Sequence, residues 1–281
     1  MILNLDSQFK PYKSKKEILF KQFVFPGGEP HIKIEESTIL SDEVTITHRV
    51  DNFNKIGEIL LANDALHRMG FSKINLTIPY FPAARQDRVM VKGEPLTVKI
   101  YADIINGCNF NKVTIFDAHS EVAPALLNNC EVVTNNSFID KVVKEINEDV
   151  FLISPDGGAL KKIYKIATHL VKYEVIECSK SRDVASGVIK DFKVYADDLN
   201  NKSCLIVDDI CDGGGTFLGL AKALKEKNAG SLYLAVSHGI FSNGLSNLNQ
   251  CFDKIFTTDS FKTFDDNQQF AQFKLADGLL S

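Results

Sequence analysis

Apolar residues recur along this chain in short uninterrupted runs, each closed by small or polar residues and followed by a stretch with apolar spacings of three and four. Such runs are expected of parallel strands buried on both faces, and the spaced stretches of helices that cover them. The pattern predicts strands over 74–80, 113–116, 150–154, 171–177, 203–209, 232–236 and 255–260. Residues 1–50 read as strand-rich, with a hairpin signal where Phe23, Val24 and Phe25 run through Pro26, Gly27, Gly28, Glu29 and Pro30 into the alternating 31–34 segment. Helices are predicted over 52–69, 97–105 and 138–146. Two more are expected, one through Leu160, Ile163, Tyr164 and Ala167, and one through Phe217, Leu220, Ala221 and Leu224. Residues 184–196 suggest a hairpin standing off the sheet. The βα order restarts near the midpoint, so the expected fold is α/β with two similar domains, each a mostly parallel sheet flanked by helices. Polar residues accumulate over 134–137, which places the boundary between domains 1–137 and 138–281 and leaves the last residues able to pack back on the first domain.

Composition narrows the function. At 281 residues the chain is long enough for two ordinary cores, and its 44% hydrophobic and 24% charged residues exclude disordered and fibrous classes. A formal charge of −4 argues against a nucleic-acid groove, so any phosphate binding must be local. No stretch approaches the roughly 20 apolar residues of a membrane span, and the first residues do not read as a leader, so a cytoplasmic protein without a membrane partner is expected. Its six cysteines are scattered without Cys-x-x-Cys spacing, which suggests neither zinc nor a disulfide framework.

The candidate chemistry concentrates over 203–216. An apolar strand ends in Asp208 and Asp209, then Asp212, Gly213, Gly214, Gly215 and Thr216 lead into a helix. Glycines allow backbone N–H groups to converge on an anion, and the helix adds its positive end. Alone, such a turn could simply pack helix on sheet. Two adjacent carboxylates at a buried strand end, however, need donors such as sugar hydroxyls, or a metal. Acids for hydroxyls followed by amides for phosphate describe a ribose-5-phosphate site. The loop resembles the phosphoribosyl-pyrophosphate-binding loop of the type I phosphoribosyltransferase fold. Elsewhere, Arg85 and Arg88 follow a strand and a proline turn, a second anion-site pattern that a solvated basic loop would share. His119 follows a buried strand, where it could bind a metal, act as a base, contact a phosphate or serve as a structural residue. Lys180 and Arg182 alternate as on an extended segment, as would a surface charge cluster.

Eight ordered motifs then carry a resemblance to the ribose-phosphate diphosphokinase family, over about 25–260: FPGGE at 25–29, YFPAARQDR at 80–88, FDAHS at 116–120, SPDGGALK at 154–161, KSR at 180–182, VDDICDGGGT at 207–216, SHGIFS at 237–242 and TTDS at 257–260. The resemblance implies transfer of the β,γ-diphosphoryl group of ATP to the anomeric hydroxyl of ribose-5-phosphate. It also implies Mg²⁺ as cofactor and a homo-oligomer in which the FPGGE loop helps complete a neighbour's ATP site. By the same resemblance, Phe25 and Glu29 would contact adenine, and Arg85, Gln86 and Arg88 would hold the nucleotide and its phosphates. His119 and Asp156 would help place Mg²⁺, and Lys180 and Arg182 would stabilise the transferring group, with His119 counted in the catalytic set. Asp208 and Asp209 would hold the ribose 2- and 3-hydroxyls, and residues 212–216 the 5-phosphate. Three departures stand out: Gly27 where the family has Asp, Gly93 where it has Arg, and Gly213 where it has Thr. The last removes a donor and is expected to leave space, which would suit a 5-substituted ribose such as ADP-ribose. Two other readings remain, a non-catalytic regulatory relative and a phosphoribosyltransferase that consumes the product.

Overall fold

A computed structural model describes residues 1–35, 41–182 and 189–280, with the backbone alone at 181, 182, 189 and 190. Two compact units emerge, Met1–Thr134 together with Lys274–Ser281, and Asn135–Phe273.

The first unit holds an all-parallel sheet of β1 (Ile2–Asn4), β4 (Glu43–Thr47), β5 (Lys73–Thr77), β6 (Lys112–Phe116) and β7 (Cys130–Val133), in that order. A separate antiparallel hairpin pairs β2 (Phe20–Val24) with β3 (Pro30–Ile34). Period-two alternation sorts the sheet's faces. Val44, Ile46, Ile74, Leu76, Val113 and Ile115 share one core with Ile56, Ile59 and Leu66 of α1 (Asn54–Arg68) and Val98, Ala102 and Ile105 of α2 (Thr97–Gly107). The alternate positions are polar yet buried, and they pair with each other and with the segment between β1 and β2. Thr47 Oγ1 donates to Asn4 Oδ1 (2.6 Å), Lys15 Nζ to Thr45 Oγ1 (3.1 Å), and Tyr12 and Thr77 share a hydroxyl hydrogen bond (3.0 Å). Residues 5–19 are therefore mostly irregular covering chain rather than further strand. The short α3 (Val122–Leu126) completes the unit.

The second unit is a seven-stranded sheet in the order β10 (Ile189–Val194), β9 (Val175–Arg182), β8 (Val150–Ser154), β11 (Ser203–Cys211), β12 (Leu232–Gly239), β13 (Lys254–Thr258) and β14 (Phe270–Phe273). All neighbours are parallel except β10 with β9. The helices are α4 (Asn136–Ile146), α5 (Leu160–Leu170), α6 (Gly215–Lys225) and α7 (Ser246–Asn249). Phe217, Leu220, Ala221 and Leu224 form the buried stripe of α6, each large side chain worth about 1.5–3 kcal/mol of transfer free energy. Lys222 and Lys225 complement the dipole in its last turn.

Three expectations shift. The strand expected at 171–177 begins at Val175 instead, because Val171 takes a left-handed conformation (φ +60°) that caps α5. Of the expected hairpin, residues 184–188 lie outside the described residues, and β10 extends the sheet edge rather than standing off it. An extra strand, β14, joins the other edge. Within the sheet the order reverses between β8 and β11, and ligands of open α/β sheets bind beyond the carboxyl ends of strands at such a point. No helix among the described residues is long and apolar enough to cross a membrane.

Candidate active site

The reversal between β8 and β11 gathers the acidic candidates. Ser203 to Val207 lie buried between two parallel neighbours, and the carboxylates follow toward the strand's carboxyl end. Asp209 is buried, Asp208 only partly, and the Asp209 amide donates to Asp208 Oδ1 (2.9 Å). Burial pushes the Asp208 carboxyl well above the usual carboxylate range, reinforced by the adjoining Asp209 carboxyl and by Asp156. Three carboxyls thus crowd one strand-end region, an arrangement that hydroxyl donors or a cation would relieve.

Asp156, just past β8, has a defined posture. Its Oδ1 accepts the Gly158 and Ala159 amides (2.8 and 3.1 Å), and its Oδ2 pairs with Lys180 Nζ at 2.5 Å. Burial alone would raise this carboxyl, but the Lys180 ammonium and the two amides outweigh it and hold it below the usual range. Lys180 reaches Asp156 from β9, the strand beside β8. Arg182 ends β9 two residues on, with its side chain outside the described residues.

The cradle follows β11. Gly214 sits at the helix N-cap with φ +82°, a left-handed conformation that a Cβ would strain, and Phe217 and Leu218 amides turn back to its carbonyl (3.0 Å each). The amides of Gly215 and Thr216 occupy the first helical positions, where a helix has no acceptor of its own. Gly213 corrects an expectation. The space left by its missing side chain is occupied: a Cβ there would lie 3.0 Å from Asn243 Nδ2. Gly93 has φ +103°, a conformation an arginine would rarely adopt, whereas a side chain at Gly27 would meet open space.

In the first unit, Arg85, Gln86 and Arg88 lie exposed on the turn after β5, in which Ala83 takes φ +56° and the Gln86 amide donates to its carbonyl (2.8 Å). His119 is exposed after β6, beyond Asp117 with φ +44°. Non-glycine residues with positive φ persist only where their surroundings impose it. One residue that sequence reasoning passed over joins these two loops. The Asp87 side chain is 7% exposed and accepts from Arg88 Nε (3.3 Å). Burial would raise its carboxyl, but hydrogen bonds from Ser120 and Arg88 and the nearness of Arg88 and His119 hold it low. The signal was its place inside the 80–88 motif, between the residues that drew attention. Phe25 and Glu29 sit apart on the turn of the β2–β3 hairpin, where the Phe25 amide donates to the Glu29 carbonyl (2.9 Å). Phe25 packs its exposed ring against Phe23 (5.1 Å) and His31 (5.6 Å).

No group of three or more metal-binding side chains converges among the described residues. Mg²⁺ carried on substrate phosphates needs only one or two protein carboxylates, and the Asp156 carboxyl, held low by Lys180 and two amides, fits that need.

The strand order, the acidic strand end and the Gly-rich turn into a helix define a phosphoribosyltransferase-type unit. Comparison with known proteins gives the family: residues 16–108 match the N-terminal domain of ribose phosphate pyrophosphokinase and residues 134–275 the phosphoribosyl transferase domain. Ribose-phosphate pyrophosphokinase of Mycoplasma pneumoniae is 33% identical over 223 residues, covering 78% of this chain and 67% of the relative. That of Thermococcus kodakarensis is 30% identical over 244 residues, covering 85% and 84%. The crystal structure of phosphoribosylpyrophosphate synthetase from Mycobacterium smegmatis superposes with a TM-score of 0.84 at 21% identity, covering 100% of this chain and 96% of that one, which shows the shared fold. The chain belongs to the ribose-phosphate pyrophosphokinase family.

Proposed function

We propose that this protein transfers the β,γ-diphosphoryl group of ATP to the anomeric hydroxyl of ribose-5-phosphate, giving phosphoribosyl pyrophosphate and AMP. The observation that carries the reading is the joining of Asp156, Lys180, Asp208 and Asp209 with a Gly-rich helix N-terminus at one sheet reversal. Diphosphoryl transfer asks a protein for positioning and charge neutralisation more than for covalent chemistry. Asp208 and Asp209 accept hydrogen bonds from the ribose 2- and 3-hydroxyls, which replaces carboxyl crowding with donors. The amides of 212–216 and the Thr216 hydroxyl hold the 5-phosphate, and Gly213 contributes backbone only. Lys180 and Arg182 place positive charge where negative charge develops in the transition state. Lys180 would exchange its Asp156 partner for the nucleotide's phosphates, which would leave Asp156 available to hold Mg²⁺. In the second unit Asp156 would hold Mg²⁺, which when bound would neutralise the phosphate chain, and in the first unit His119 is the candidate for a metal or phosphate contact. In the first unit Arg85, Gln86 and Arg88 hold the nucleotide, kept in place by Asp87, and Phe25 and Glu29 offer an aromatic face and an acceptor for adenine. The exposed rings of Phe23 and Phe25 suit a hairpin completed by a second copy in a homo-oligomer.

Relatives 33% and 30% identical, named for ribose phosphate, support ribose-5-phosphate as acceptor, and the approach of Asn243 Nδ2 to the side-chain position of Gly213 weakens the reason to prefer a 5-substituted ribose. The test is AMP formation from ATP and Mg²⁺ with ribose-5-phosphate, with ADP-ribose as the rival acceptor. AMP should appear with ribose-5-phosphate, vanish with EDTA and return with Mg²⁺. A protein that forms no AMP under those conditions sinks the reading.

A further inference from the structure

The segment after β12 belongs to the 237–242 motif, to which the proposed chemistry gives no task. It is folded against the cradle. Amides of Ile240 and Phe241 both donate to the Cys211 carbonyl (2.9 and 3.1 Å), and the Ser242 amide donates to the Asp212 carbonyl (3.2 Å). Asn243 Nδ2 then donates to the Gly213 carbonyl (3.1 Å). Three successive carbonyls are thereby turned toward one loop. In a trans peptide the N–H of the next residue points opposite to the carbonyl. Fixing the carbonyls of 211, 212 and 213 therefore aims the amides of 212, 213 and 214 away from this loop.

The loop is itself constrained. Phe241 takes φ +45°, unusual for a bulky residue, and its buried ring packs on Phe264 (5.5 Å) and Phe270 (5.9 Å). Asn243 differs from its neighbours in the loop because it acts through its side chain, which ends where a side chain at position 213 would begin: the separation from a Cβ there is 3.0 Å. A larger residue at 213 and the Asn243 hydrogen bond cannot coexist without one of them moving.

We propose that Asn243 is a positioning residue of the ribose-phosphate cradle, holding the 213–214 peptide so that its N–H faces the acceptor's phosphate, and that position 213 is glycine because the Asn243 amide occupies the place of its side chain. The proposal rests on the reading of this cradle as the acceptor site. It assigns to a single exposed side chain the part of acceptor recognition that a hydroxyl at 213 would otherwise supply.

The test combines Asn243→Ala, Asn243→Asp, Gly213→Thr and the double variant Gly213→Thr with Asn243→Ala, each checked for an unchanged melting temperature of the folded protein. Asn243→Ala should raise KM for ribose-5-phosphate about three- to tenfold, the range of one lost hydrogen bond, while KM for ATP and kcat stay within about twofold. Asn243→Asp, which cannot donate to a carbonyl, should lose at least as much. Gly213→Thr should impair the protein that retains Asn243 more than the protein that lacks it, which makes the two effects non-additive. Calorimetric titration with ribose-5-phosphate should show the same order of affinities without turnover. An unchanged KM in Asn243→Ala, an equal loss for both substrates, or additive effects of the two substitutions would overturn the proposal. If the unmutated protein neither binds ribose-5-phosphate nor forms AMP with it, the acceptor reading fails first, and that result is distinct from any of these.

Discussion

Asp208→Asn should make the unliganded protein more stable and a worse enzyme. The Asp208 carboxyl is raised above its ordinary value of 3.8 by burial and by Asp209 and Asp156. Ionising it beside two other carboxyls therefore costs folding free energy. The variant should therefore melt above the parent at pH 8, where the Asp208 carboxyl would otherwise have to ionise beside Asp209 and Asp156. Because the folded state keeps this proton to higher pH than the unfolded chain does, the favourable contribution is intact below pH 3.8 and is lost as pH rises through the raised value. Asparagine keeps the shape and cannot ionise. The Tm of the variant minus that of the parent should thus be small near pH 4 and grow toward pH 8, measured by calorimetry on both proteins. In the same variant KM for ribose-5-phosphate should rise, since an acceptor for a sugar hydroxyl is lost. A variant that melts at or below the parent at pH 8, or a difference that does not change with pH, would refute the argument that these carboxyls are held together against their repulsion.

Lys180→Ala should lower kcat a hundredfold or more, about 3 kcal/mol, with little change in either KM, and Arg182→Ala should do the same; unchanged turnover in steady-state kinetics would return both to ordinary surface charge. Asp87→Ala should raise KM for ATP several-fold while leaving KM for ribose-5-phosphate alone, because Asp87 holds Arg88 and the His119 loop rather than the sugar; an effect on both substrates would count against that role. Cys178 and Cys204 are pushed up to about 12 by burial, so iodoacetamide at pH 8 should leave both unlabelled until the protein unfolds, as read by mass spectrometry.

The sequence carried the βα order and the strand-end chemistry well, for a reason visible in β11. A run buried on both faces favours apolar residues, so two adjacent carboxylates at its carboxyl end stand out as a site rather than as packing. Other features obey contacts that a linear pattern does not record. Val171 reads as a strand former, yet its backbone is left-handed because α5 must turn there. The β14 segment is short and its neighbours polar, so only its pairing with β13 defines it. Asp87 gave no signal of its own beside two arginines, because its importance lies in a partner, Ser120, more than thirty positions away. Glycine at 213 read as a vacancy for the same reason: the residue that fills it, Asn243, is thirty positions further on.

The first unit is discontinuous in the chain, since residues 274–281 belong with residues 1–134. Leu275 and Leu279 are 1% exposed, and Lys13 pairs with Asp277 across that join. During synthesis at about 5–20 residues per second, the ribosome must deliver the whole 135–273 unit before this last piece exists. For roughly 7–28 s, by that rate, the earlier unit waits with the apolar ground for Leu275 and Leu279 uncovered, while the later unit already has all of its strands. The half that is made first is therefore the half that is finished last.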